Sequence, residues 1–208
     1  MSRPFENLSE SRPAESRDMP EFSPAQRRIL LEIARSSIAS GIANEPLPDE
    51  PPSWPNLPHF RALLLQPRGV FTTLYLRAQL RGCVGYALAI HPLFRAIAET
   101  ARAAAFQDTR FRPVSPEEVG DLKISLSVLS PLFPIQPSHV EVGRHGLMIS
   151  DGLRRGLLLP QVPVEHDWDR LTFLEQTCHK AGLPSDAWRS ASLEAFTAEV
   201  FGDDDFSC

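Results

Sequence analysis

The chain has 208 residues, 42% of them hydrophobic and 23% charged, with a formal net charge of −5. This is the balance of a globular domain with one substantial core. The acidic balance disfavours non-specific binding to nucleic acid or anionic lipid, and no apolar run reaches the roughly 20 residues of a bilayer-crossing helix.

Residues 1–22 are rich in Ser, Pro, Glu and Arg. They show no apolar periodicity and lack the apolar core of a secretory signal. They are expected to form a disordered N-terminal segment of a cytoplasmic protein without a membrane partner. Ser23-Pro24 then supplies an N-cap and a first-turn proline. Leu30, Ile33, Ala34, Ser37 and Ile38 follow at helical spacing, and Gly41 is the expected stop. Between Glu45 and Pro58, repeated prolines forbid a regular helix or central strand. An extended crossing segment anchored by Trp54 and Leu57 is expected there.

Gly69–Leu76 is dense in β-branched and aromatic residues and reads as a strand. A turn at Ala78-Gln79 would lead into a second strand carrying Leu80-Arg81-Gly82-Cys83-Val84-Gly85. From Pro92 to about Phe106 the pattern is helical, with Leu93, Ile97, Ala101 and Ala104 on one stripe. Leu122, Ile124, Leu126 and Val128 alternate with Lys123, Ser125 and Ser127, as in a half-buried strand. Gly146–Ser150 and Gly152–Leu159 suit a hairpin around Asp151-Gly152. Thr172 and Glu175 have capping-box spacing for a helix to Ala181, with Gly182 and Pro184 at its exit. Leu193–Phe201 reads as a final strand, and 203–208 as an acidic tail. The mixed order of strands and helices argues for an α+β fold.

The three cysteines, Cys83, Cys178 and Cys208, are far apart. Their spacing gives neither a disulfide framework nor a zinc pattern, and it suits a reducing compartment. Cys83 stands between two glycines. On a strand it would share a face with Arg81, and a guanidinium beside a thiol favours the nucleophilic thiolate. The other reading is a small buried residue between close-packed glycines. His145 is a candidate base or ligand, or a ring that holds its turn by hydrogen bonds. Glu165 follows the stiff Leu159-Pro160-Gln161-Val162-Pro163 segment. It is a candidate general base near Cys83 or His145, or a partner in a salt bridge. Asp108 and Arg110 either bind an anionic ligand or pair with each other. Cys178 lies with Leu174 and Ala181 at helical spacing and reads as core. His139, His145 and His166 match no metal spacing, so no metal site is assigned. Nucleotide and serine-hydrolase motifs are absent.

Leu80-Arg81-Gly82-Cys83-Val84-Gly85 resembles the signature of the AMMECR family, also known as protein A of the AmmeMemoRadiSam system. Other segments resemble the family in order and spacing: Arg68–Leu74; Asp108-Thr109-Arg110-Phe111 with Pro113; Gly143-Arg144-His145-Gly146; and Leu159–Val162 with Glu165, Trp168 and Asp169. The likeness runs from about Pro24 to Phe201, within a domain set at 23–202. Val84 departs from the usual isoleucine, and Tyr86 is a second small departure. The resemblance implies an α+β fold of two unequal lobes. The larger would be a mostly antiparallel sheet with flanking helices, built from both chain ends, with the signature near the inter-lobe cleft. It also implies association with a Memo-like protein and a radical SAM protein, and it brings no settled activity and no known cofactor.

The expected site therefore has Cys83, Glu165 and His145 as catalytic candidates. Arg81, Gly82, Gly85, Asp108 and Arg110 are the candidates for binding a small-molecule ligand or partner segment. The alternatives are a non-catalytic adaptor for the Memo-like or radical SAM protein, and a nucleic-acid binder, which the charge disfavours.

Overall fold

A computed structural model describes residues 20–51 and 58–206. In chain order the first elements are α1 (Pro24–Ile42), α2 (Pro58–Leu64), β1 (Val70–Leu76), β2 (Gln79–Tyr86), α3 (Leu93–Phe106) and β3 (Leu122–Leu129). They are followed by β4 (Phe133–Pro134), β5 (Gly146–Asp151), β6 (Arg154–Leu158), α4 (Gln161–Glu165), α5 (Arg170–Lys180), β7 (Ser192–Phe196) and β8 (Ala198–Gly202). Two antiparallel sheets, ordered β2-β1-β3-β8 and β4-β7-β5-β6, make this an α+β fold of two lobes.

The larger lobe draws on both ends of the chain. Its core joins Leu30, Ile33 and Ile38 of α1 and Ile97 and Ala101 of α3 to Val70, Leu74, Leu126 and Phe201 of the sheet. Ser23 and Gln26 form a reciprocal capping box that starts α1. Gly41 does not end this helix. It sits in the last turn, where a Cβ would lie 2.5 Å from the Phe106 ring, and Asn44 (φ 55°) redirects the chain. Close approach, rather than a helix stop, explains this glycine. Trp54 and Leu57 lie outside the described residues.

Packing extends past the expected domain limits at both ends. Phe22 is fully buried against Phe201, and Glu21 pairs with Arg68. Asp203 accepts the Ile124 N–H and pairs with Arg35, which seats the start of the acidic stretch on the sheet.

Arg77 and Ala78 make the β1–β2 turn, with φ of 51° and 63°. Gln79 is already paired with Leu76, so the turn falls one residue before its expected place. Two left-handed residues match the twist of a two-residue hairpin, but neither is the glycine or asparagine that would signal it. In the smaller lobe, α5 begins two residues before Thr172 because Asp169 caps it, accepting the Thr172 N–H at 2.8 Å. Leu147, Ile149, Phe173, Cys178 and Ala195 form this lobe's separate core.

The expected last strand is two strands in two sheets. It breaks at Thr197, whose carbonyl accepts the Ser130 N–H (2.8 Å) and whose N–H donates to Ser130 Oγ (3.0 Å). The outgoing and returning chains thus cross between lobes side by side.

β2 packs onto α3 through Gly82, where a Cβ would fall 2.1 Å from the Ala104 carbonyl oxygen. Backbone cannot yield there as a side-chain tip can. Gly82→Ala should cost about 1–3 kcal/mol, the usual range for overpacking. Gly120→Ala, with nothing within 4 Å of the new methyl, should cost far less. Urea midpoints of the two variants measure the contrast.

Candidate functional site between the lobes

Side chains alternate across a strand, so one face of β1, β2 and β3 meets the helices and the other is open. On the open face, register places Cys83, Thr73, Ser125 and Gly202 in one row across four strands. The next row is Gly85, Phe71, Ser127 and Val200. The smaller lobe covers this face with Gly143-Arg144 and the segment from Pro160 through α4. A cleft of about 480 Å³ lies between, and both Cys83 and Glu165 line it. Its floor is thiol and hydroxyl, with Phe71, Tyr75, Val164 and Val200 as apolar wall and Arg144 and Glu165 as charges.

Cys83 is partly exposed, and its Sγ accepts a hydrogen bond from Thr73 Oγ1 at 3.3 Å. Its peptide groups lie on the outer edge of the sheet, yet both are occupied. The N–H donates to Asp108 Oδ2 (2.8 Å), and the carbonyl accepts from Arg110 Nη2 (3.3 Å). Asp108 and Arg110 also bond each other through Nε (2.9 Å) and Nη2 (2.6 Å). Together they substitute for a neighbouring strand at this one residue. The Arg110 guanidinium, then the Cys83 N–H, holds the Asp108 carboxyl well below the ordinary carboxylate range.

Arg81 does not turn to the thiol. Its guanidinium bonds Glu118 (2.9 and 3.2 Å) and the carbonyls of Arg112 and Pro113. Arg81 and the Ser115 N–H together depress the Glu118 carboxyl. The register shifts beside it, with Leu74 opposite Gly82 and Tyr75 opposite Leu80, so Arg81 is the extra residue of a β-bulge and the expected alternation with Cys83 is broken there. Gly85 makes room for Phe71, whose ring would lie 2.2 Å from a Cβ there.

His145 is buried just before β5. Its ring Nδ1 accepts the Glu141 N–H (3.0 Å), the His145 backbone N–H donates to the Glu141 carbonyl (3.0 Å), and Phe133 packs edge-on against the ring. Burial pushes its pKa below the ordinary histidine value. The ring closes the turn that brings Arg144 to the cleft. His166 instead stacks on Trp168 at 4.9 Å. Among the described residues, no three His, Cys, Asp or Glu side chains gather as a metal site. Sequence reasoning passed over Thr73, Ser125, Ser127 and Arg144. For Ser125 and Ser127 the polar half of the β3 alternation is a signal, but it reads equally as a solvent face; nothing local singles out Thr73 on β1 or Arg144 in the turn before β5.

The fold and site define a two-lobed α+β protein with a thiol-bearing cleft where the lobes meet. The profile of the AMMECR1 family matches residues 31–201, a span holding every cleft residue named above. The chain is 42% identical over 190 residues to a protein of Thermococcus gammatolerans, covering 83% of this chain and 88% of that one. It is 40% identical to a protein of Methanothermobacter thermautotrophicus, covering 88% and 99%. The crystal structure of uncharacterized protein PH0010 from Pyrococcus horikoshii is similar with a TM-score of 0.61. Identity there is 37%, over 84% of this chain and 90% of that chain. This chain belongs to the AMMECR1 family.

Two titrations should be visible in stability against pH. His145 has a folded pKa below its unfolded one, so the unfolded chain takes up the proton first as pH falls. Its contribution is full above about pH 6.5 and is lost on acidification; His145→Gln should remove that slope. Asp108 is likewise depressed, so its contribution is present above about pH 3.9 and is lost in stronger acid. Asp108→Asn should flatten that lower limb and be less stable at neutral pH. Thermal midpoints across the pH range check both.

Proposed function

We propose that the chain binds a small molecule in the inter-lobe cleft and that Cys83 performs a thiol-dependent step on it. One observation supports this above all: Cys83 and Glu165 line the same cleft, while Asp108 and Arg110 fix the Cys83 peptide from behind. In this reading Sγ attacks an electrophilic carbonyl carbon of the bound molecule. An S–C bond forms, and the carbonyl π pair moves to oxygen. The thiol proton passes to the Glu165 carboxylate and then to that oxygen, so the addition balances without oxidant or reductant. Arg81, Gly82 and Gly85 shape and hold the strand beneath the thiol. His145 holds the loop that carries Arg144.

A second reading, a non-catalytic adaptor for the Memo-like or radical SAM protein implied by the AMMECR resemblance, has its own support. Leu80, Leu88 and Ile90 are 42%, 46% and 61% exposed along and just after the signature strand. Pull-down with each candidate partner tests it. Binding should survive Cys83→Ser and fail with Ile90→Asp; recovery of neither partner by the unmutated chain removes it.

The thiol reading is tested by iodoacetamide labelling of the full chain between pH 6 and 9, with peptide mapping to separate the three cysteines. Cys83 should label at a rate that rises with pH, while fully buried Cys178 stays protected in the native state. A Cys83 that stays unlabelled over that range overturns the reading.

A further inference from the structure

The two edges of the larger sheet are finished differently. At β2, Asp108 and Arg110 occupy both outward peptide groups of Cys83. At β8 the opposite holds. The Ser130 N–H bonds the Thr197 carbonyl, and hydrogen-bonded pairs alternate along an antiparallel ladder. The pairs Leu129–Ala198 and Ser127–Val200 are then the non-hydrogen-bonded ones, with the N–H and C=O of Ala198 and Val200 directed away from β3. Gly202 follows the same alternation, and its outward N–H is taken by Asp205 at 2.8 Å. Among the described residues, no hydrogen bond reaches the outward groups of Ala198 or Val200.

Unpaired edges are normally guarded by charge, proline, a bulge or a covering element. Here the central residue is Val200, 64% exposed. Its neighbour Glu199 is turned to the other face, where it accepts from the Glu21 N–H and from Arg27. Hollows lie on both sides of Ala198. One is the cleft. The other, about 780 Å³, is lined by Pro20, Glu21 and Arg27 from the N-terminal side and by Gly143 and Arg144 from the smaller lobe. The two share Gly143, Arg144 and Ala198.

We propose that β8 is a docking edge for an extended peptide segment of a partner, added as a fifth strand of the larger sheet. Two outward donor–acceptor pairs, two residues or about 6.6–6.8 Å apart, repeat at the spacing of an extended backbone. The flanking chemistry sets the segment's pattern. Residues on the cleft side pack on Val200 and are aliphatic; alternate residues face Glu199 and Arg27 and are polar. Pro20 and Glu21 on one side and Gly143 and Arg144 on the other line the hollow into which Ala198 faces, and a second copy docked there is an outcome that the test reads. This inference rests on the backbone of β8 and not on the chemistry of the thiol, although Ala198 and Val200 line the cleft that Cys83 also lines.

The test uses the full chain and a phage-displayed random dodecapeptide library as probe. Selected peptides should alternate aliphatic and polar residues, and on binding they should slow amide exchange at Ala198 and Val200. Val200→Pro removes one outward N–H and leaves the ladder to β3 intact, the position where a strand tolerates proline. It should weaken binding about tenfold or more, while Val200→Thr retains it. Should Val200→Pro fail to fold, amide protection in the unmutated chain still decides. Failure to select any peptide overturns the proposal. So do peptides that leave both amides unprotected, equal binding by a folded Val200→Pro chain, or protection that comes from self-association without peptide.

Discussion

The paired crossing at Ser130 and Thr197 is the constraint on which the molecule's architecture rests. Two strands pass between lobes side by side, tied by one backbone hydrogen bond and one from backbone to hydroxyl. That tie fixes where the smaller lobe meets the open face of the larger sheet. The meeting place decides which side chains become a wall: α4 and the Gly143-Arg144 turn on one side, and β1, β2, β3 and β8 on the other. Each lobe has its own core, so the space between them belongs to neither and can be lined by polar groups.

Within that frame, the thiol is held by its backbone more than by its side chain. Sγ has a single hydroxyl donor, whereas the Cys83 peptide is gripped on its outer side by a carboxylate and a guanidinium that also grip each other. Hydrogen bonds to charged groups are stronger than neutral ones, so an edge strand that would otherwise fray is pinned at this residue. The glycines on either side serve the same placement. Gly82 lets the strand settle onto α3, and Gly85 gives way to the Phe71 ring. The signature hexapeptide is in large part a packing instruction that leaves one thiol facing a cleft.

Much of the fold was legible in the sequence, because its cues are local. The Ser23 cap, the alternation of β3 and the left-handed Gly182 closing α5 each state their structure within a few residues. What was not legible depended on distant partners. Residues 193–201 have uniform strand character, and only the crossing at Thr197 divides them between sheets. Arg81 is two residues from Cys83 on one strand, yet it is the extra residue of a bulge and Glu118 claims its guanidinium. Thr73, Ser125 and Ser127 become a cleft floor only because the smaller lobe lies over them. Nothing in the spacing of Cys83 and Glu165 says that they share a cavity; the meeting of the two lobes puts them there.

The crossing also orders events in time. Residues 131–196 leave the larger lobe and return beside their point of departure, so β8 is translated only after the whole smaller lobe. A nascent chain emerging from the ribosome can assemble β1, β2 and β3 early, but β3 must wait with one side unpaired until the last strand arrives. Phe201 then enters a core whose other buried members were made before it, and Phe206 packs against that core after it.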